Sequence, residues 1–141
     1  TRRAGLGNFR EIDVEDLTKH KVDSEQMFVN AEACRIVNNA KDNGHNICAV
    51  GTTVMRTIET AVSTDGHIKE YEGWTNKFIF PPYEFSVANS MISNFNMPMS
   101  TMLMLVCSYG GYELIMDAYN IALKEDYRFG TYGDAMLILD K

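Results

Sequence analysis

No stretch of this sequence approaches the roughly 20 consecutive apolar residues that a membrane-spanning helix needs. The longest apolar run, MLMLVC at 102–107, suits a buried helix instead. Cations are in the minority, 13 Lys and Arg against 19 Asp and Glu, for a net charge of −6. That balance excludes broad, nonspecific attraction to nucleic acid by this chain alone, although a local basic groove stays open. Cys34, Cys48 and Cys107 stand far apart with no Cys-x-x-Cys, and His20, His45 and His67 show no ligand spacing. No metal site is expected from such a set. Three isolated thiols suit a reducing cytoplasm, where cysteine acts as a small hydrophobe. The chain also lacks an initiator Met, which suggests a piece of a longer protein, and no apolar leader segment follows TRRAGLGNFR.

What is present is enough for one domain with a real core, but not comfortably for two, in 141 residues of which 45% are hydrophobic. Residues 1–29 read as extended and polar, ending in a short strand, EQMFV at 25–29. Asn30 then caps a helix with Ala33, Ile36, Val37 and Ala40 on one face, and Gly44 closes it. Ile47–Val50 predicts a buried strand, and Thr52 or Thr53 caps a second helix with Val54, Met55, Ile58, Ala61 and Val62 inward. STDGH at 63–67 is a turn, and GWTNKFIF at 73–80 a strand stopped by Pro81-Pro82. Residues 83–95 are open between a second strand and a short helix followed by one. Ser100 announces an almost wholly apolar helix that Gly110-Gly111 breaks. A last helix at 112–125 turns Leu114, Ile115, Ala118, Tyr119 and Ala122 to one side, and an aromatic, glycine-rich loop runs into a final apolar strand. Alternating strands and helices place the chain in the α/β class, with helices on both faces of a sheet.

Three loops carry candidate chemistry. Gly51-Thr52-Thr53 joins a strand to a helix, where backbone N–H groups meet anions, but the spacing and lysine of a P-loop are absent. Arg56 opposes the helix dipole there. Two readings stand: an ion pair with Glu59, or convergence with the helix N-terminus on one anionic ligand. SNFNMPMST at 93–101 is an Asn-rich turn and helix cap, or a set of amides and hydroxyls that read a polar ligand. YRFGTYGDAM at 127–136 packs rings, Arg128 and Asp134 together, which suits aromatic packing with an ion pair, a stacked nucleobase, or a cation held against rings. GLGNF at 5–9 is similar to part of a dinucleotide loop, but without a preceding strand it reads as a turn.

The same loops resemble the C-terminal region of the S-adenosylmethionine:tRNA ribosyltransferase-isomerases of queuosine biosynthesis. The resemblance rests on AVGTT with Arg56, GWTNKFI, SNFNMPMSTMLMLV and above all YRFGTYGDAMLI, with GNFREIDVEDLTKHKVDSE ahead of them. It implies that residues 1–29 lead out of a missing β-barrel domain and that 30–141 form the C-terminal part of an α/β catalytic domain whose N-terminal part is absent. It implies transfer of the ribosyl group of S-adenosylmethionine to 7-aminomethyl-7-deazaguanine at a tRNA wobble position, then isomerisation to epoxyqueuosine. S-adenosylmethionine is then a consumed co-substrate. No separate cofactor, metal or membrane is implied, and the family enzyme is expected to be a cytoplasmic monomer. A noncatalytic tRNA- or nucleotide-binding module derived from the enzyme is the alternative.

Carried over residue by residue, the resemblance assigns substrate binding to Gly51, Thr52, Thr53 and Arg56, and to Asn94, Phe95, Ser100 and Thr101. It adds Tyr127, Arg128, Phe129 and Tyr132 from the last block. Asp134 is a candidate catalytic carboxylate, suited with the rings to a sulfonium. Asn96 takes the second catalytic position, where the family's usual His-Leu-Pro-Lys reads Asn96-Met97-Pro98-Met99. A proton carrier and a cation are thereby replaced by an amide and a thioether. Val54-Met55 replaces the more usual Ser-Val, and RRAGLGNF departs from the family's histidine-containing opening. The 141 residues by themselves are expected to be inactive.

Overall fold

Asn30 sets the first helix as its chemistry predicts: its Oδ1 accepts a hydrogen bond from the Ala33 amide at 2.9 Å. The computed structural model describes Thr1, Arg3 and residues 11–139, so the turn expected at 5–9 lies outside the described residues. Along the chain run β1 (Glu25–Val29), α1 (Ala31–Asp42), β2 (Cys48–Val50), α2 (Thr52–Ala61) and β3 (Tyr71–Thr75). β4 (Ser90–Asn94), α3 (Thr101–Gly110), α4 (Tyr112–Lys124) and β5 (Ala135–Leu139) follow. The α/β class is plain, but the strands form two sheets. β1 pairs antiparallel with β3, while β4 lies between a parallel β2 and an antiparallel β5.

Several boundaries differ from expectation for local reasons. The strand expected at 73–80 ends at Thr75, because its ladder partner β1 begins at Glu25, the residue opposite Thr75. The segment beyond it packs by rings instead, Phe78 lying 5.0 Å from Phe80 and 5.1 Å from His20. Residues 83–89 form neither helix nor strand, so the open choice there resolves to a single strand, β4. Neither Thr52 nor Thr53 caps α2. Gly51 does, at φ +96°, a left-handed backbone that side-chain-bearing residues rarely adopt. α3 is capped as expected, Ser100 Oγ accepting from the Leu103 amide at 3.1 Å, and Gly111 both ends α3 and opens α4.

The core gathers around Met27, Ala49, Met55, Met91 and Val106, all at most 1% exposed. Ile36, Val54 and Leu114 were expected inward and are exposed, because each sits about one residue off the buried centre line of its helix. Cys34, Met55 with Ile58, and Ile115 with Tyr119 hold those lines. The three-stranded sheet is two-sided in the same way. Its register puts Ala49, Met91 and Ile138 on the buried face, and Val50 and Leu137 across Ile92 on the other, with Val50 and Leu137 exposed. Among the described residues no helix is long and apolar enough to cross a membrane.

Candidate functional site

Loops at the ends of the β2–β4–β5 sheet converge on one cavity of about 530 Å³, within the rough 300–1,000 Å³ range of small-molecule pockets. Gly51, Thr52 and Thr53 form one wall, Ser93, Asn94 and Asn96 the floor, and Met97, Pro98, Ser100 and Met102 the side toward α3. Gly130, Thr131 and Glu11 complete it. Parallel pairing of β2 with β4 is the cause, since both strands then deliver their C-terminal ends to the same edge. The Gly51 amide donates to Ile92 O at 2.8 Å and ties the α2 turn to β4. Gly51 O accepts from Val54 and Met55, while the Thr52 and Thr53 amides have no acceptor among the described residues. They are available to a ligand anion.

The floor is braced from behind. Asn96 is 7% exposed; its amide N–H donates to Tyr119 Oη at 2.8 Å and its Nδ2 to Ser93 Oγ at 3.0 Å. Burial pushes the Tyr119 phenol up, so it stays protonated at neutral pH. Asn94 Nδ2 donates to Gly133 O at 3.1 Å and holds the last loop against β4. That loop closes on itself: Asp134 Oδ2 accepts from the Arg128 amide at 2.7 Å, and the Asp134 amide donates to Arg128 O at 2.8 Å. Gly133 is required by close approach, because a Cβ there would lie 2.3 Å from Arg128 O.

The site residues named from the sequence thus divide. Gly51, Thr52, Thr53, Asn94, Asn96 and Ser100 line the cavity together. Phe95 and Phe129 pack beneath it, with ring centroids 5.2 Å apart, and Tyr127 edges onto Phe95 at 5.6 Å. Asp134 spends its carboxylate on the loop. Arg128 is exposed and Tyr132 is 99% exposed, both on the loop that supplies Gly130 and Thr131. Thr101 lies in a smaller space of about 10 Å³ beside Thr52 and Arg56, and its Oγ1 has no hydrogen-bond partner among the described residues. That space is about the size of one water.

Arg56 pairs with Glu25 of β1 and not with Glu59. Its Nη2 lies 3.1 Å from Glu25 Oε2 in β1, with both side chains buried. Burial lowers its pKa to about 10, which leaves it charged at neutral pH. Glu59 is buried as well, accepting from Tyr83 Oη at 3.0 Å and the Ser86 amide at 2.9 Å. Arg56 does not line the large cavity. Seven residues that line the cavity were not assigned a role from the sequence: Glu11, Ser93, Met97, Pro98, Met102, Gly130 and Thr131. All of them stood inside quoted strings, but nothing in GNFREIDVEDLTKHKVDSE singles out Glu11, which reaches the cavity through an isolated bridge between its backbone and that of Ser100.

Comparison with known proteins follows the same lines. Residues 1–138 match the family model described as queuosine biosynthesis protein. Similar over the whole chain, at 82% identity, is the S-adenosylmethionine:tRNA ribosyltransferase-isomerase of Phocaeicola vulgatus; that of Clostridioides difficile is 49% identical over 98% of the chain. The chain spans 40% of the length of each. The crystal structure of S-adenosylmethionine tRNA ribosyltransferase from Thermotoga maritima superposes with a TM-score of 0.76 at 43% identity, over 82% of this chain and 40% of that one. With a family model matched over nearly its whole length and a solved relative of the same fold, the chain belongs to the queuosine biosynthesis protein family.

Proposed function

We propose that this chain is the C-terminal part of an S-adenosylmethionine:tRNA ribosyltransferase-isomerase and that its cavity takes S-adenosylmethionine as a consumed substrate. One observation carries the reading: three separated sequence blocks, the same that carry the family resemblance, meet at a single cavity. In this reading the Thr52 and Thr53 amides meet the methionyl carboxylate, while Asn94 and Asn96 face the polar edge of the substrate. Arg128 and Tyr132, exposed on the rim loop, offer a cation and a ring to a phosphate or an unstacked base of the tRNA. The reaction transfers the ribosyl group to 7-aminomethyl-7-deazaguanine at the wobble position and isomerises it, with adenine and methionine leaving.

The chain spans 40% of its relatives' length; in this reading residues 1–29 lead out of a β-barrel domain and 30–141 form the end of the α/β domain. The exposed apolar residues Val50, Leu137 and Leu139 are where the rest of that α/β domain would pack. The three free thiols suit a cytoplasmic location. The test is adenine release from S-adenosylmethionine in the presence of substrate tRNA. The 141 residues alone should give none above background, and the chain joined to the remaining part that its relatives carry should turn over. Turnover by the 141 residues alone would overturn the division of labour, and no turnover by the joined protein would overturn the enzymatic reading.

A further inference from the structure

We infer that Glu11 is the group that recognises the positive charge of the substrate, in place of Asp134. The inference rests on the reading of the cavity as an S-adenosylmethionine site. Among the described residues that line the cavity, Glu11 has the one ionisable side chain; the others are glycines, hydroxyls, amides, methionines and a proline. Asp134, the carboxylate that the sequence motif offers, is turned onto the Arg128 amide at 2.7 Å and does not line the cavity. Arg56 is held 3.1 Å from Glu25.

The position of Glu11 is built rather than incidental. Ile12, its neighbour, is 5% exposed, and the Ile12 amide donates to Met99 O at 2.8 Å. Extended backbone sends successive side chains to opposite sides, so burying Ile12 turns Glu11 outward along Ser100, toward the cavity. The α2 amides opposite favour an anionic group of the ligand, and Glu11 favours a cationic one. A zwitterion bearing an additional positive centre meets both demands. S-adenosylmethionine is such a molecule, and its sulfonium is the centre that Glu11 is assigned.

The test compares S-adenosylmethionine with S-adenosylhomocysteine, which keeps the amino acid and adenosine but has a neutral sulfur. Titration calorimetry is run on the chain joined to the remaining part that its relatives carry. The unaltered protein should bind the sulfonium compound about fivefold tighter, the size of a partly exposed ion pair. Glu11→Gln should erase that preference by weakening S-adenosylmethionine alone, and Glu11→Asp should keep it. A preference that survives Glu11→Gln, or equal weakening of both ligands, overturns the assignment. Binding of neither ligand by the unaltered protein overturns the cavity reading first, and the role of Glu11 with it.

Discussion

Arg56 of α2 and Glu25 of β1 form a buried ion pair, 3.1 Å between Nη2 and Oε2, across 31 residues of chain. The contact fastens the two-stranded sheet to the helix that begins at the cavity wall. Removing one partner of a buried ion pair typically costs about 3–5 kcal/mol. Arg56→Met should therefore lower stability by that order, and Glu25→Gln combined with Arg56→Met should recover much of it. Urea unfolding of the single and double variants checks this. A loss under about 1 kcal/mol for Arg56→Met would show that the pair is dispensable.

Glu59, 1% exposed, depends on Tyr83 and Ser86 for its hydrogen bonds. Burial first, and then the Glu59 charge, push the Tyr83 phenol well above its ordinary value of 10.0. Tyr83→Phe removes one charge-assisted bond and should cost about 1–2 kcal/mol. In alkaline titration Tyr83 should be the slowest tyrosine to ionise, and its contribution to stability should be present below pH 10.0 and fade above it. Ultraviolet difference spectra against pH report both.

His67 lies 2.7 Å from Asp42 through Nε2 and 3.4 Å from Asp65 through Nδ1. With a carboxylate on each nitrogen, the ring cannot serve Ser63 as a base, so this Ser, His and Asp grouping is a turn clamp rather than a catalytic set. Its pKa is raised, chiefly by the Asp42 hydrogen bond. A raised folded pKa stabilises fully below the unfolded value of 6.5 and is lost as pH rises through the folded one. Asp65, held down to about 2, stays charged through that window. His67→Gln should therefore cost more stability at pH 5.5 than at pH 8.5; equal losses would refute the clamp.

Gly133 has no room for a side chain against Arg128 O. Gly133→Ala should open the 128–134 loop, cost on the order of 1–3 kcal/mol, and weaken ligand binding through Gly130 and Thr131. Melting temperature and calorimetric affinity measure the two effects separately. Unchanged values of both would show that the loop closes without this contact.

Local chemistry was legible in the sequence at most positions where a short-range rule acts, the α2 cap excepted, which Gly51 supplies in place of Thr52 or Thr53. Asn30 and Ser100 cap the helices they were expected to cap, and the Gly110-Gly111 break and β5 follow their patterns. Membership of the family was legible as well, because its motifs are contiguous strings. The partners of Arg56 and Glu59 were not, since a charged residue on an amphipathic helix looks solvated until the elements packed against it are known. Where the rings of these motifs pack was equally hidden. Phe95 and Phe129 share motifs with cavity residues, yet packing buries Phe95 in the core and sets Phe129 against it. Glu11 shows the limit most clearly. Nothing within its own quoted string singles it out, and a backbone bridge to Ser100, 89 residues away, is what brings it to the cavity. Contacts that close so long a loop are decided by the tertiary fold, because no local periodicity encodes them.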